Sequence, residues 1–167
     1  INVGDVTGDG LNDILLGADQ LYLHLPGHQA EVYLLPGPAV TAVLPNNGLT
    51  LTGEPEDSAG QSLGGPLDFN GDGVGDVLIG QPALMGTSGG GASVLFGPVD
   101  ADSSLADVDV RFVGDVPGHG QGRSVAGVPD INGDGMDEVL VGQSGGQDWG
   151  DGAYGAVLFL GRTSPGE

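Results

Sequence analysis

The chain has 167 residues, 35 glycines, no cysteine, and 23 acidic against 3 basic residues, a formal charge of −20. The length fits one domain with a real core, and the lack of cysteine excludes disulfides and thiolate metal sites. So acidic a chain is expected to avoid nucleic acid and anionic membranes and to attract cations, with acidic solubility as the alternative cause of the excess.

The apolar runs are brief and bounded by Gly, Pro, Asn and Asp, which predicts short β-strands joined by tight turns. Glycine supplies about a fifth of the chain against an ordinary share of about 7%, without a collagen period. Ile1–Gly4 reads as a short first strand, followed by "DVTGDGLNDILLG" from Asp5 and then "EVYLLPGP". The pattern returns as "LTLTG", "GQSLGGPLD", "DFNGDGVGDVLIG" from Asp68 and "ASVLFGP". It returns again as "VRFVG", "GRSVAGVPD", "DINGDGMDEVLVG" from Asp130 and "GAVLFLGR". The spacings of 63 and 62 residues define an internal repeat.

In the most complete unit, strands are expected near Ser62–Leu67, Asp76–Gly80, Ala92–Gly97 and Val108–Val113. Four strands at this period describe a β-propeller blade better than a solenoid coil. The predicted fold is therefore all-β, with about three blades of four antiparallel strands. Blade 1 covers 1–53 with a truncated first strand, blade 2 covers 54–114, and blade 3 covers 115–167 without its outer strand. Together they are expected to form one domain. Rings need roughly four to eight blades, and an open arc exposes strand edges and apolar faces. Three resolutions stand open: further blades in a longer chain, two copies closing a six-bladed ring, or a non-closing contact that builds a filament.

The crowded loops carry the chemistry. Each nine-residue loop places oxygen donors at positions 1, 3, 5 and 9 and glycine at position 6. These donors are Asp5, Thr7, Asp9 and Asp13; then Asp68, Asn70, Asp72 and Asp76; then Asp130, Asn132, Asp134 and Glu138. Hard oxygens in this number suit Ca²⁺, and a carbonyl at position 7 (Leu11, Val74 or Met136) would add one more. The glycine permits the turn that aims alternate side chains inward. An EF-hand starts the same way but needs an acid at position 12, where this chain has Leu16, Ile79 and Val141. Asx turns alone would also favour these residues; three copies with the donor positions kept weigh against that. Three Ca²⁺ ions, six positive charges, would bring −20 to −14.

No enzyme is expected. His24, His28 and His119 share no metal spacing, and "GHGQGRS" holds no nucleophile elbow. His119 falls between strands and is expected at the surface. No apolar run reaches the length of a membrane span, no signal peptide is legible, and no N-glycosylation sequon occurs.

The D-x-[NT]-x-D-G-x-x-[DE] loop, the following "VLIGQP" and the "GxVxxxxG"-like third strands resemble the FG-GAP repeats of integrin α-subunit β-propellers and their bacterial relatives. The resemblance spans essentially the whole chain. It implies that each loop joins the first two strands of a blade and binds Ca²⁺, in rings that usually hold seven blades. The "FG" and "GAP" signatures are degenerate: "LGG" (63–65) and "GQP" (80–82) stand nearest, and Asp19 and Ser144 occupy the expected proline positions.

The resemblance implies an extracellular, secreted or cell-surface location, and the expected role is adhesion or, from the open three-blade arc, self-assembly. The expected partners are calcium, other copies of the chain itself or further blades, and a protein or glycan ligand. A lectin is the alternative, with Trp149, Tyr154 and Tyr22 as sugar-stacking candidates. A further alternative is an accessory piece of a larger secreted FG-GAP protein.

Overall fold

The computed structural model describes residues 1–18, 29–38, 47–55, 57–83, 89–114, 119–143 and 155–163. Its regular structure is almost entirely strand, arranged in three sheets, antiparallel apart from one added strand, none closed into a barrel. The first sheet is built from β1 (Asn2–Gly4), β2 (Asp13–Ala18), β3 (Gln29–Leu35) and β4 (Leu49–Pro55), in that order. The second follows with β5 (Ser62–Gly64), β6 (Val77–Gln81), β7 (Gly91–Leu95) and β9 (Val110–Val113). The third has β10 (Ser124–Val128), β11 (Glu138–Gln143) and β12 (Gly155–Phe159). Among the described residues no helix is long and apolar enough to cross a membrane.

One strand departs from the expected pattern. After β7 the chain crosses to the first sheet, where β8 (Ser103–Ser104) pairs in parallel with β4. A short 3-10 turn (Leu105–Asp107) follows, capped by the Ser104 hydroxyl, which accepts from Ala106 N. Leu105 is fully buried in the first core, and Thr50 N donates to Asp102 Oδ1 at 2.8 Å. Arg111 of β9 ties this strap back: it donates to the Leu105 carbonyl and pairs with Glu54 at 2.8 Å. Both side chains of that ion pair are more than a quarter exposed, so its contribution is small.

Alternation along the strands decides which faces meet. Leu15, Val32, Leu34 and Leu51 of the first sheet pack with Val77 and Ile79 of the second in one buried cluster. Leu78, Val94, Val110 and Phe112, on the opposite face of the second sheet, pack with Val139 and Val141 of the third. Phe112 meets Phe69 edge to face and stacks on Phe159, with ring centroids 6.0 and 4.1 Å away. The second sheet is thus covered on both sides, and all of β6 is buried.

Each outer sheet keeps one open face: Ile14 and Leu16 lie on the first, Leu140 and Leu158 on the third, each more than a third exposed.

Glycines set the approach between sheets. A Cβ on Gly17 would lie 2.2 Å from the Gly60 carbonyl oxygen, and one on Gly80 would lie 2.2 Å from that of Gly122. The repeated "LLG" and "LIG" endings therefore mark places where neighbouring backbones touch.

A buried polar network lies beside this contact. Asp57 accepts from Glu54 N at 2.7 Å, Ala59 N at 2.9 Å and Gln81 Nε2 at 2.8 Å, while Ser93 donates to Gln81 Oε1. Burial pushes the Asp57 carboxyl above its ordinary range against these bonds. His119, five residues before Ser124 as Asp57 is before Ser62, is buried rather than at the surface as expected. The turn carrying it tucks against the second sheet, where Gln121 N donates to Gly89 O at 2.8 Å and Gln121 bridges to Gly90.

Candidate metal centre

The three glycine–aspartate loops each join the first two strands of a sheet: β1 to β2, β5 to β6, and β10 to β11. All three therefore stand at the same end of their sheets.

Within each loop the first aspartate collects backbone amides. Asp5 accepts from Gly8 N at 2.7 Å, Asp9 N at 3.1 Å and Gly10 N at 2.8 Å. Asp68 accepts from Asp72 N at 3.1 Å and Gly73 N at 3.0 Å. Asp130 accepts from Gly133 N at 2.6 Å, Asp134 N at 3.3 Å and Gly135 N at 2.9 Å. These amides, Gly135 first and Gly133 next, hold the Asp130 carboxyl below its ordinary range. Glycine at position 6 has φ of +87° in Gly10 and Gly73 and +90° in Gly135, the left-handed geometry that turns its amide toward the carboxylate.

The fifth-position carboxylates accept one residue pair further on. Asp9, Asp72 and Asp134 take the amides of Leu11, Val74 and Met136 at 2.8, 2.8 and 3.0 Å. At position 3, Asn70 and Asn132 accept from the amides of Asp72 and Asp134. The loop thus has internal cohesion of the Asx-turn kind.

Position 9 separates the loops. Asp13, Asp76 and Glu138 are fully buried, unlike the acids at positions 1 and 5. Asp13 accepts from Val6 N, Thr7 N and, across the sheet, Gly37 N at 2.9 Å. Asp76 accepts from Phe69 N at 2.7 Å and Gly97 N at 3.0 Å. Burial pushes the Asp76 carboxyl up to about 7, against the pull of those amides. Glu138, one methylene longer, turns back into its own loop, accepting from Ile131 N at 3.0 Å and Asn132 Nδ2 at 3.1 Å.

That extra reach brings Asp130, Asp134 and Glu138 together, each with an oxygen within 4.8 Å of the others'. Among the described residues this is the one group of three acids so gathered.

The donors fit a hard cation. All are oxygens, as Ca²⁺ prefers. In the first loop Thr7 Oγ1 is shielded from solvent and has no hydrogen-bond partner among the described residues. A buried hydroxyl left so costs about 1–3 kcal/mol, and a bound cation would satisfy it.

The loops also touch one another. Gly75 N donates to Asp5 O, and Asp137 N to Asp68 O, both at 2.8 Å. Val99 N donates to Val6 O at 2.8 Å and Arg162 N to Phe69 O at 2.9 Å. The same step from loop to loop is thus made twice, through the position-8 residues Gly75 and Asp137, to which the donor spacing assigns no role. The sequence signal was the variation there: Asn12, Gly75 and Asp137.

The sugar-stacking candidates Trp149, Tyr154 and Tyr22 lie outside the described residues, as do His24, His28, Asp19 and Ser144.

No protein-family model matches the chain. Over 151 residues, 87% of the chain, the sequence is 32% identical to integrin alpha-IIb of Mus musculus. The chain spans 14% of that protein's length, about one seventh.

Proposed function

We propose that the chain is a non-catalytic, calcium-stabilised extracellular module of the FG-GAP β-propeller type, in which each sheet is one blade serving adhesion or self-assembly. The blades follow the repeat, 1–53, 54–114 and 115–167, with β8 lent by the second to the first. The similarity to an integrin α-subunit supports the adhesive, cell-surface reading. The observation that carries the calcium reading is the gathered Asp130, Asp134 and Glu138, in a loop whose pattern recurs at the same end of two neighbouring sheets. Every repeated carboxylate then has a place in a loop, which leaves none for acid–base chemistry.

Bound Ca²⁺ would supply positive charge among nine carboxylates. The chain's own part is orientation: the amides at positions 4 to 6 hold the first aspartate, and the buried ninth residue anchors the loop to its strand. The loops would then act as rigid pins along one edge of the stack. The open faces at Ile14 and Leu16 and at Leu140 and Leu158 favour further blades or further copies against them.

Thermal unfolding in excess EGTA and in millimolar Ca²⁺ tests the calcium reading. At a hundred times Kd each independent site adds about 2.7 kcal/mol, or about 5–11 °C for a chain of this size. Equal melting temperatures would sink it. Light scattering in Ca²⁺ tests assembly. A mass near 16.5 kDa would reject self-assembly, twice that supports a closed pair, and a growing mass supports a filament.

A further inference from the structure

We propose that Asp137 is a positioning residue that couples cation binding in the second and third loops, so that filling one raises the affinity of the other. The inference rests on the calcium reading above and concerns how the loops act together. Its ground is a contact found at one of the two loop-to-loop steps. At the first step the position-8 residue is Gly75, which joins the loops through its backbone alone, donating to Asp5 O. At the second step Asp137 N donates likewise to Asp68 O, and its carboxylate adds two bonds. Oδ2 accepts from Asp68 N at 2.9 Å and Oδ1 accepts from Asp130 N at 3.0 Å.

Asp68 and Asp130 are the first residues of their loops, whose own carboxylates gather the surrounding amides. One side chain therefore holds the backbone of both first ligands. Close packing reinforces the link: a Cβ on Gly71 would lie 2.8 Å from Met136 Cγ and 3.1 Å from Gly135 O. When a cation draws in Asp130, the clasp restricts Asp68 as well, and the second loop binds with less ordering left to do. The coupling is reciprocal by linkage. Gly75 has no side chain to make such a clasp, so the first loop is expected to bind independently of the second.

The experiment titrates the full chain with Ca²⁺ alone, following the position-6 amides Gly10, Gly73 and Gly135 by NMR. Each of these amides donates to the first aspartate of its own loop and so reports that loop's occupancy. Asp134→Ala disables the third loop. In the otherwise native chain we expect this to weaken Ca²⁺ binding at Gly73 by about five-fold or more, with Gly10 unmoved. In an Asp137→Gly background, which gives the third loop the residue of the second, the same change should leave Gly73 unaffected. Asp137→Asn, which keeps one acceptor oxygen, repeats the comparison should the glycine variant not fold. Ca²⁺ binding at all three loops with no difference between backgrounds overturns the coupling and leaves the calcium reading standing. No response at any of the three amides overturns both.

Discussion

Replacing Gly80 with alanine tests the close approach of the second and third sheets. The new Cβ would lie 2.1 Å from Ser62 Oγ and 2.2 Å from the Gly122 carbonyl oxygen. An ordinary carbon–oxygen contact is about 3.3 Å, so each overlap is about 1 Å. The serine could rotate, giving up its 2.7 Å bond to the Gly122 carbonyl. Gly122 cannot withdraw as easily, because its own amide donates to Gly142 O at 2.9 Å and it packs so closely on Gly91 that a Cβ there would lie 1.8 Å from Gly91 O. The sheets must part locally, at about 1–3 kcal/mol for overpacking and about 1 kcal/mol for the lost hydrogen bond. A total of about 2–4 kcal/mol lowers the melting temperature by about 4–16 °C. Thermal unfolding by circular dichroism in EGTA reads the change. Ser62→Ala added to Gly80→Ala should recover little, since the carbonyl clash remains. Gly73→Ala is the control: nothing lies within 4 Å of its Cβ, and only its φ of +87° is strained, worth about 1–2 kcal/mol. A Gly80→Ala protein melting within about 2 °C of the native chain would refute the reasoning, as would a larger loss from Gly73→Ala.

Two more expectations follow from buried polar groups. Thr7→Val removes a shielded hydroxyl that has no partner among the described residues, so it should be neutral or stabilising by up to about 1 kcal/mol in EGTA and weaken the first loop for Ca²⁺; the same shift in melting temperature in both conditions would refute it. Asp57 has its carboxyl raised by burial, so its stability contribution is full below the unfolded value of about 3.9 and is lost as pH rises through the folded value. The deficit of Asp57→Asn in EGTA should therefore widen as pH falls from about 7 to about 4.5, and a deficit that narrows over that range refutes the assignment.

The strands were legible because alternation and glycine punctuation are local signals. Their ends were not. The strand expected to reach Leu67 stops at Gly64, before Pro66, which has no N–H for a ladder. That expected over Ala92–Gly97 stops at Leu95, because Phe96 N and Gly97 N donate to the carboxylates of Asp109 and Asp76 instead. Strand β8 was missed altogether: two serines in "DADSSLADVD" carry no periodicity, and only the burial of Leu105 shows why they lie there.

Among site residues, the spacing nominates Asp130, Asp134 and Glu138, and the structure brings an oxygen of each within 4.8 Å of the others'. The same spacing could not show that Asp13 and Asp76 spend their oxygens on amides of the following connection, Gly37 and Gly97. Asp57 was silent because its neighbours read as a turn. Its burial depends on Gly53, where a Cβ would come within 2.7 Å of its oxygen.

The strap over the first sheet changes how the chain should come apart. In a stacked array each unit leans only on its neighbours, and stability is close to a sum over units and junctions. Here residues 98–109 leave the second sheet, lay two residues on the edge of the first, bury Leu105 between them and return. Neither sheet can open without dislodging part of the other, so the first two behave as one cooperative block. The third sheet is joined to that block by one face and a row of loop contacts. Unravelling should begin there, with Leu140 and Leu158 already partly exposed to water, and the order of loss should run against the direction of the chain.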